Sequence, residues 1–459
     1  MSTPRDALEQ ILRAAGAAGL KAQAPEFRGA DPVFKTRYRV GTAGAAALAA
    51  VGLGAARLWQ GRGGSEQAIG IDVAAAAASL RSARYLRVNG EPTPETWAPL
   101  SGFYPVSDGW IRFHCNFPLH REAAFGVLGA LEEREAGEAA SRAWAGEALE
   151  DAIHAAGGCA GYVRSAGDWA RHPHAQAIAA QPLIEIVKIG DAPPEPLPQA
   201  PRPLSGVRVL DLTRVLAGPT CARSLAEHGA DVLKISAAHL PDMGMVELDT
   251  GIGKLAARLD LRMDQDLRAL RELVREGDVF SQSYRPGSLA ARGFSPEALA
   301  QLRPGIVYVS LSAWGLSGPW SARRGFDSIV QSVSGMAHAQ GGAGKPSLLP
   351  VSAIDYVSGY LMAFGTMLAL ERRAREGGSW LVRVALARVG KWITDLGAVG
   401  PGGVEELRSD LLQDLLTESD APDGRITHLR PVLRMSKTPP RWERPPVPLG
   451  FHSPAWPAR

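Results

Sequence analysis

Residues 207–235 read VRVLDLTRVLAGPTCARSLAEHGADVLKI. Two apolar runs, 207–212 and 231–235, are bounded by turns, the pattern of strands buried in a parallel sheet. Between them, residues 213–219 form a loop and 221–228 a short helix, with Gly229 placed to end it. Working downstream, the pattern predicts a helix at 267–275, a strand at 278–281, a helix at 296–302 opened by Pro296, and a strand at 306–311. Strand and helix alternate, which predicts an α/β lobe with an open, doubly wound, mainly parallel sheet of the Rossmann-like kind. Ligands of such sheets bind beyond the carboxyl ends of the strands. A long apolar helix follows at 359–374. It runs into Arg372, Arg373 and Arg375, which match the negative end of its dipole, and stops at Gly377 and Gly378.

Upstream, residues 190–203 read GDAPPEPLPQAPRP. Proline at that density excludes a helix interior or central strand and predicts an extended linker. The expected organisation is therefore a smaller α+β lobe at 1–189, the linker at 190–203, the sheet lobe at 204–396 and an extended tail at 397–459. The first lobe echoes the second. GTAGAAALAAVGLGAARLWQGRGGSEQ from Gly41 parallels DYVSGYLMAFGTMLALERRAREGGSWL from Asp355, and aligning the Gly pairs sets Gly41 opposite Asp355. Residues 102–113 predict a strand pair with a turn at Asp108–Gly109.

The chain has 459 residues, 46% hydrophobic and 21% charged, with 50 Lys and Arg against 47 Asp and Glu. That balance suits two or three globular domains and excludes a disordered or fibrous chain. Charges are dispersed without a basic stripe, so no nucleic-acid partner is expected. Cys115, Cys159 and Cys221 are too few and odd in number for a disulfide framework, which fits a reducing, cytoplasmic setting. The start lacks the apolar core of a signal peptide. Residues 41–58 are Ala- and Gly-rich, a core helix rather than a membrane span, so no membrane partner is expected.

Several motifs fail. GGAGKPS at 341–347 lacks the phosphate-loop spacing, because Ala339 stands at the first Gly position and Pro346 follows Lys345. No G-x-G-x-x-G opens the first helix of the sheet lobe, and no G-x-S-x-G occurs. His114, Cys115 and His120, like His172 and His174, lack zinc-ligand spacing and read as surface or packed side chains, so no metal is expected. Three segments remain. LTRVLAGP (212–219) joins a first strand to a first helix, where free N–H groups favour phosphate. QSYRPGSLAARG (282–293) sets an aromatic beside Arg after a strand. AIDYVSG (353–359) places Asp355 at a helix start, as a cap or first-turn acid.

Together and in order, these segments resemble the family III CoA-transferases, the superfamily of formyl-CoA and carnitine-CoA transferases and α-methylacyl-CoA racemases. GKLAARLDL at 253, GIVYVSLSAWGLSGPW at 305 and GFDSIVQSVSG at 325 extend the likeness over about 204–396. YVRSAGDWARHPHAQA at 162 and PLIEIVKIG at 182 resemble the family's other half, so the halves stand in swapped order. The resemblance implies transfer of coenzyme A between an acyl-CoA and a carboxylic acid, with Asp355 as nucleophile. It implies coenzyme A along Val215, Leu216, Ala217, Lys254, Ser283, Tyr284 and Arg285, and a Gly-rich cover at 341–344. It also implies a homodimer acting on small acyl-CoA and carboxylate substrates. Three features depart from the family pattern: Ser236-Ala237-Ala238 after the second strand, G-K-L before the LDL run, and a shifted Arg292. Phe326 stands where the racemase branch carries histidine. Phenylalanine moves no proton, so transfer is expected over racemisation. Asp327 beside it reads as structural.

Overall fold

The computed structural model describes residues 2–22, 24–93, 97–241, 243–342 and 344–458. Its centre is a seven-stranded sheet in the spatial order Lys254–Arg258, Asp231–Ser236, Arg208–Leu212, Val279–Gln282, Val307–Ser312, Ser379–Ala385, Glu185–Gly190. The first six are parallel, and the last pairs antiparallel to Ser379–Ala385. In chain order the six parallel strands run 3-2-1-4-5-6, the doubly wound order of dinucleotide-binding sheets. The strand order reverses between Arg208–Leu212 and Val279–Gln282, so the loops leaving these two strands open a crevice.

The edge strand Glu185–Gly190 precedes the proline-rich linker. The sheet therefore takes strands from both sides of residues 190–203, and the first lobe ends earlier in space than the sequence suggests. The linker carries no regular structure over 191–200. It is held by Arg62, whose guanidinium donates to the carbonyls of Pro198, Pro203 and Ser205.

The core gathers around the helix Ala353–Glu376, which is buried on nearly every face. Glycines let three neighbours approach it. A Cβ on Gly359 would lie 2.5 Å from the Ala217 carbonyl oxygen, and one on Gly365 would lie 2.7 Å from Val382 Cγ1 in the adjoining strand. A Cβ on Gly54, in the other long helix, Val40–Gly61, would lie 3.1 Å from Met367 Cβ. This packing overrides the poor helix propensity of glycine and starts the helix at Ala353, not at 359. Both long helices are apolar enough to cross a membrane by length and composition, yet 94% and 100% of their most apolar windows are buried in the protein. The helix expected at 221–228 likewise starts earlier, at Ala217. Pro219 fits its first turn, where no partner for a backbone N–H is needed.

The strands Gly102–Val106 and Gly109–Phe113 form the expected pair and continue into Ala160–Tyr162 as a second sheet. Residues 397–459 are not extended throughout. A helix, Ser409–Leu415, and a hairpin, Leu416–Ala421 with Gly424–Leu429, occupy the middle. Asp423–Gly424 at its turn, between alternating residues, is the hairpin signal that reading the segment as a tail overlooked. From 436 the chain is irregular and straps the sheet lobe. Trp442 Nε1 donates to the Arg223 carbonyl and Trp456 Nε1 to the Leu273 carbonyl. His452 pairs with Ala256 on the outermost strand, its N–H 2.7 Å from the Ala256 oxygen.

One buried ion pair ties the sheet to the first helix. Lys254 Nζ lies 2.8 Å from Asp211 Oδ2 and donates to the Pro219 carbonyl at 2.9 Å. Burial pushes the Asp211 carboxyl up, but Lys254 and Lys234 outweigh it and hold it below the usual carboxylate range. Replacing Lys254 with Met strands this carboxylate and is expected to cost ~3–5 kcal/mol. Urea denaturation checks it. A second change, Asp211→Asn, should restore part of the loss, and a Lys254→Met midpoint equal to wild type would contradict the pairing.

Candidate active site

The two loops at the crevice meet directly. Ser283 Oγ accepts the Arg214 N–H at 3.1 Å, and the Gln282 side-chain carbonyl accepts the Tyr284 N–H at 2.8 Å. Val215 has φ of 67°, a left-handed conformation that strains a β-branched residue by about 1–3 kcal/mol. It reverses the chain so that Leu216 ends the loop and Ala217 opens the helix, with no side chain capping its first N–H groups. Gly218 is required there, since a Cβ would lie 2.3 Å from Thr213 Cβ. Thus Val215, Leu216, Ala217, Ser283 and Tyr284 come together, and Arg285 lies exposed beside them. Lys254 does not join them. It is 2% exposed and committed to Asp211, so it braces the helix start from behind instead of facing a ligand.

Two cations that the sequence reading missed complete this face. Arg214, Arg285 and Arg324 all bear on His120, whose pKa burial and these charges push down to about 4. The Arg214 guanidinium sits 5.3 Å from the Phe117 ring centroid. Arg324 is itself held below its ordinary pKa by burial and by Arg285. Clustered guanidinium groups beside free helix N–H groups suit a polyphosphate. Their sequence signal was the Arg within TRVLAGP and the Arg preceding GFD.

Asp355 occupies the first turn of the long helix, 8% exposed. Gly359, one turn on, touches Ala217, so the carboxyl-bearing turn borders the crevice loop. The helix's own N-cap, Ser352, makes no side-chain cap bond. Asp327 caps the helix instead, its Oδ2 accepting the Asp355 N–H at 3.0 Å. Gln331 fixes Asp327 by donating to Oδ1, and its own oxygen accepts the Leu349 N–H at 2.8 Å. Burial, then the neighbouring charge of Asp327, raise the Asp355 carboxyl well above the usual range. Burial lifts Asp327 to about 6, against the hydrogen bonds it accepts.

The first half of the chain supplies the facing wall. The His114 ring stacks on Phe326 with centroids 3.7 Å apart and planes at 9°. Phe117 and His120 each lie 5.8 Å from the same ring. Arg112, on the strand before His114, acts electrostatically on Asp327. His114 is buried and held well below its ordinary pKa, hence neutral. Burial pushes the Cys115 thiol up to about 12, so it is inert. Of the two readings open to them, surface or packed, His114, Cys115 and His120 take the packed one, and two of them border the Asp327 turn. Among the described residues no group of three or more His, Cys, Asp or Glu side chains could hold a metal ion. Of the glycine-rich cover at 341–344, Ala343 lies outside the described residues.

Residues 204–400 match the family model described as CoA-transferase family III. An acetyl-coenzyme A transferase of Hypoxylon pulicicidum is 34% identical over 239 residues, 50% of this chain and 39% of its own. The alpha subunit of a succinyl-CoA–L-malate CoA-transferase from Chloroflexus aurantiacus is 31% identical over 199 residues, 40% of this chain and 46% of its own. A crystal structure of a hypothetical protein from Mycobacterium tuberculosis is 32% identical, covers 42% of this chain and 57% of its own, and superposes with a TM-score of 0.40. The chain thus spans about two fifths to three fifths of the length of the relatives it matches. The crevice loops, the Gly325–Asp327 turn and the Asp355 helix all fall inside the segment, residues 204–400, that is similar to CoA-transferase family III.

Proposed function

We propose that the protein transfers coenzyme A from an acyl-CoA to a carboxylic acid through a covalent intermediate on Asp355. The observation that carries this reading is the placement of Asp355. A buried carboxylate stands at a helix N-terminus, one turn from the loop that opens the crevice of a doubly wound sheet. The relatives' names supply the chemistry of the class.

Coenzyme A lies with its phosphates toward Arg214, Arg285 and Arg324 and its pantetheine along Val215–Ala217. An Asp355 oxygen attacks the thioester carbonyl; the carbon–sulfur bond breaks, thiolate leaves, and an acyl-aspartyl anhydride forms. Thiolate returns to the Asp355 carboxyl carbon and releases the donor as a carboxylate, leaving an aspartyl thioester. The acceptor carboxylate attacks that thioester, and thiolate then takes up the acceptor's acyl group and frees Asp355. Each step exchanges one anion for another, so no proton donor is needed. That fits the neutral His114 and the Phe326 ring on the facing wall, and it disfavours racemisation.

Intact-mass measurement after incubation with a panel of acyl-CoAs tests the reading. A hydroxylamine-sensitive acyl or CoA adduct is expected on wild type and not on Asp355→Ala. Retained CoA binding with no adduct from any donor would favour a binding protein without turnover.

The nucleophile must be ionised, and its pKa is raised by burial and by Asp327. Turnover is therefore expected to rise with pH through that raised pKa. Asp327→Asn keeps an acceptor for the Asp355 N–H but removes the like charge, so the rising limb of the pH–rate profile should move to lower pH. An unmoved limb would show that Asp327 does not tune the nucleophile.

A further inference from the structure

Residues 29–113 and 325–429 repeat one another beyond their long helices. Gly29-Ala30-Asp31 parallels Gly325-Phe326-Asp327. Asp31 accepts the N–H groups of Gly41 at 3.0 Å and Thr42 at 2.7 Å, as Asp327 accepts that of Asp355. Neither long helix is capped by its own N-cap side chain. Each runs into a Gly pair, then a strand and a shorter helix. These are Ile69–Asp72 with Val73–Ser79, and Ser379–Ala385 with Leu386–Asp395. Each half then adds a hairpin with Asp-Gly at its turn, at 108–109 and at 423–424.

The contacts between the repeats are reciprocal. The first half's chain, leaving its short helix, gives the Leu80 carbonyl to the N–H of Ser352 at 2.9 Å, just before the second long helix. The second half's chain, leaving its short helix, bridges Ala398 to Tyr38 and places the Val399 N–H 2.8 Å from the Arg37 carbonyl, just before the first long helix. The two long helices pack on each other. Contact of i with j repeated as j with i is the mark of a two-fold interface between two copies. The twin of Asp355 is closed. A Cβ on Gly41 would lie 2.7 Å from Asp31 Oδ1 and 2.8 Å from Val73 Cγ1.

We propose that the chain is a single-chain pseudo-dimer. Its halves are related by an approximate two-fold, with one open reacting centre at Asp355 and a sealed twin at Gly41. The wall over Asp327, carrying Arg112 and His114, comes from the first half of the same chain, so no second copy completes the site. This replaces the homodimer that the family resemblance implied. It rests on the Asp355 reading for the word reacting; the arrangement of the halves stands apart from it.

The test is a disulfide across the two long helices. Gly54→Cys with Met367→Cys sets two thiols at positions whose Cβ atoms lie 3.1 Å apart, near the ~3.5–4.5 Å of a disulfide. The native cysteines are buried. Oxidation is expected to consume both new thiols and leave a 48.6 kDa chain on a non-reducing denaturing gel. A covalent dimer of twice that mass would overturn the proposal. Should the double variant fail to fold, wild-type chains labelled with 14N and 15N are mixed in denaturant, refolded together and coupled with a carbodiimide. The Lys35–Glu405 pair, 3.2 Å apart, is the reporter. Links within one isotope alone support the single-chain arrangement; links mixing isotopes, or no link, overturn it. Both readouts are masses. A missing adduct on Asp355 would therefore sink the catalytic reading and leave this one standing.

Discussion

The Asp327 carboxylate holds the site together. A buried helix start needs partners for its first N–H groups, and the Ala353–Glu376 helix finds none on its own N-cap. Asp327 provides the acceptor from another element, and Gln331 and Leu349 lock it in place. The same carboxylate adds to burial in raising the Asp355 carboxyl. A cap and an electrostatic influence on Asp355 thus come from one side chain. The strained Val215 and the close approach of Gly359 to Ala217 then bring the crevice to that acid.

Much of this frame was legible in the sequence. Apolar runs separated by turns marked the strands at 208–212, 231–236 and 307–312 to within a residue or so. The alternation implied the doubly wound order, and the order located the crevice. Asp355 stood out because an acid before an apolar helix can be read locally.

What the sequence hid depends on contacts between distant residues. Lys254 looked free because its partner Asp211 lies 43 residues away, on the central strand. Arg214 and Arg324 are unremarkable alone and become a cationic face only when three separate loops converge. The strand Glu185–Gly190 sits beyond a proline-rich stretch from the rest of its sheet, so local punctuation placed it in the wrong lobe. The hairpin at 416–429 was a plainer oversight, since its Asp-Gly turn is a local signal.

The C-terminal strap has a practical bearing. The outermost strand, Lys254–Arg258, would otherwise present unpaired backbone groups along its edge, a template on which other chains can stack. His452 and its neighbours occupy that edge, and Trp456 pins the last turn of chain against the helix behind it. The seal on that edge is thus made by residues around His452 and Trp456, far along the chain from the strand they cover. A change that frees these residues therefore bares a strand edge for stacking, even though it touches no strand of the sheet.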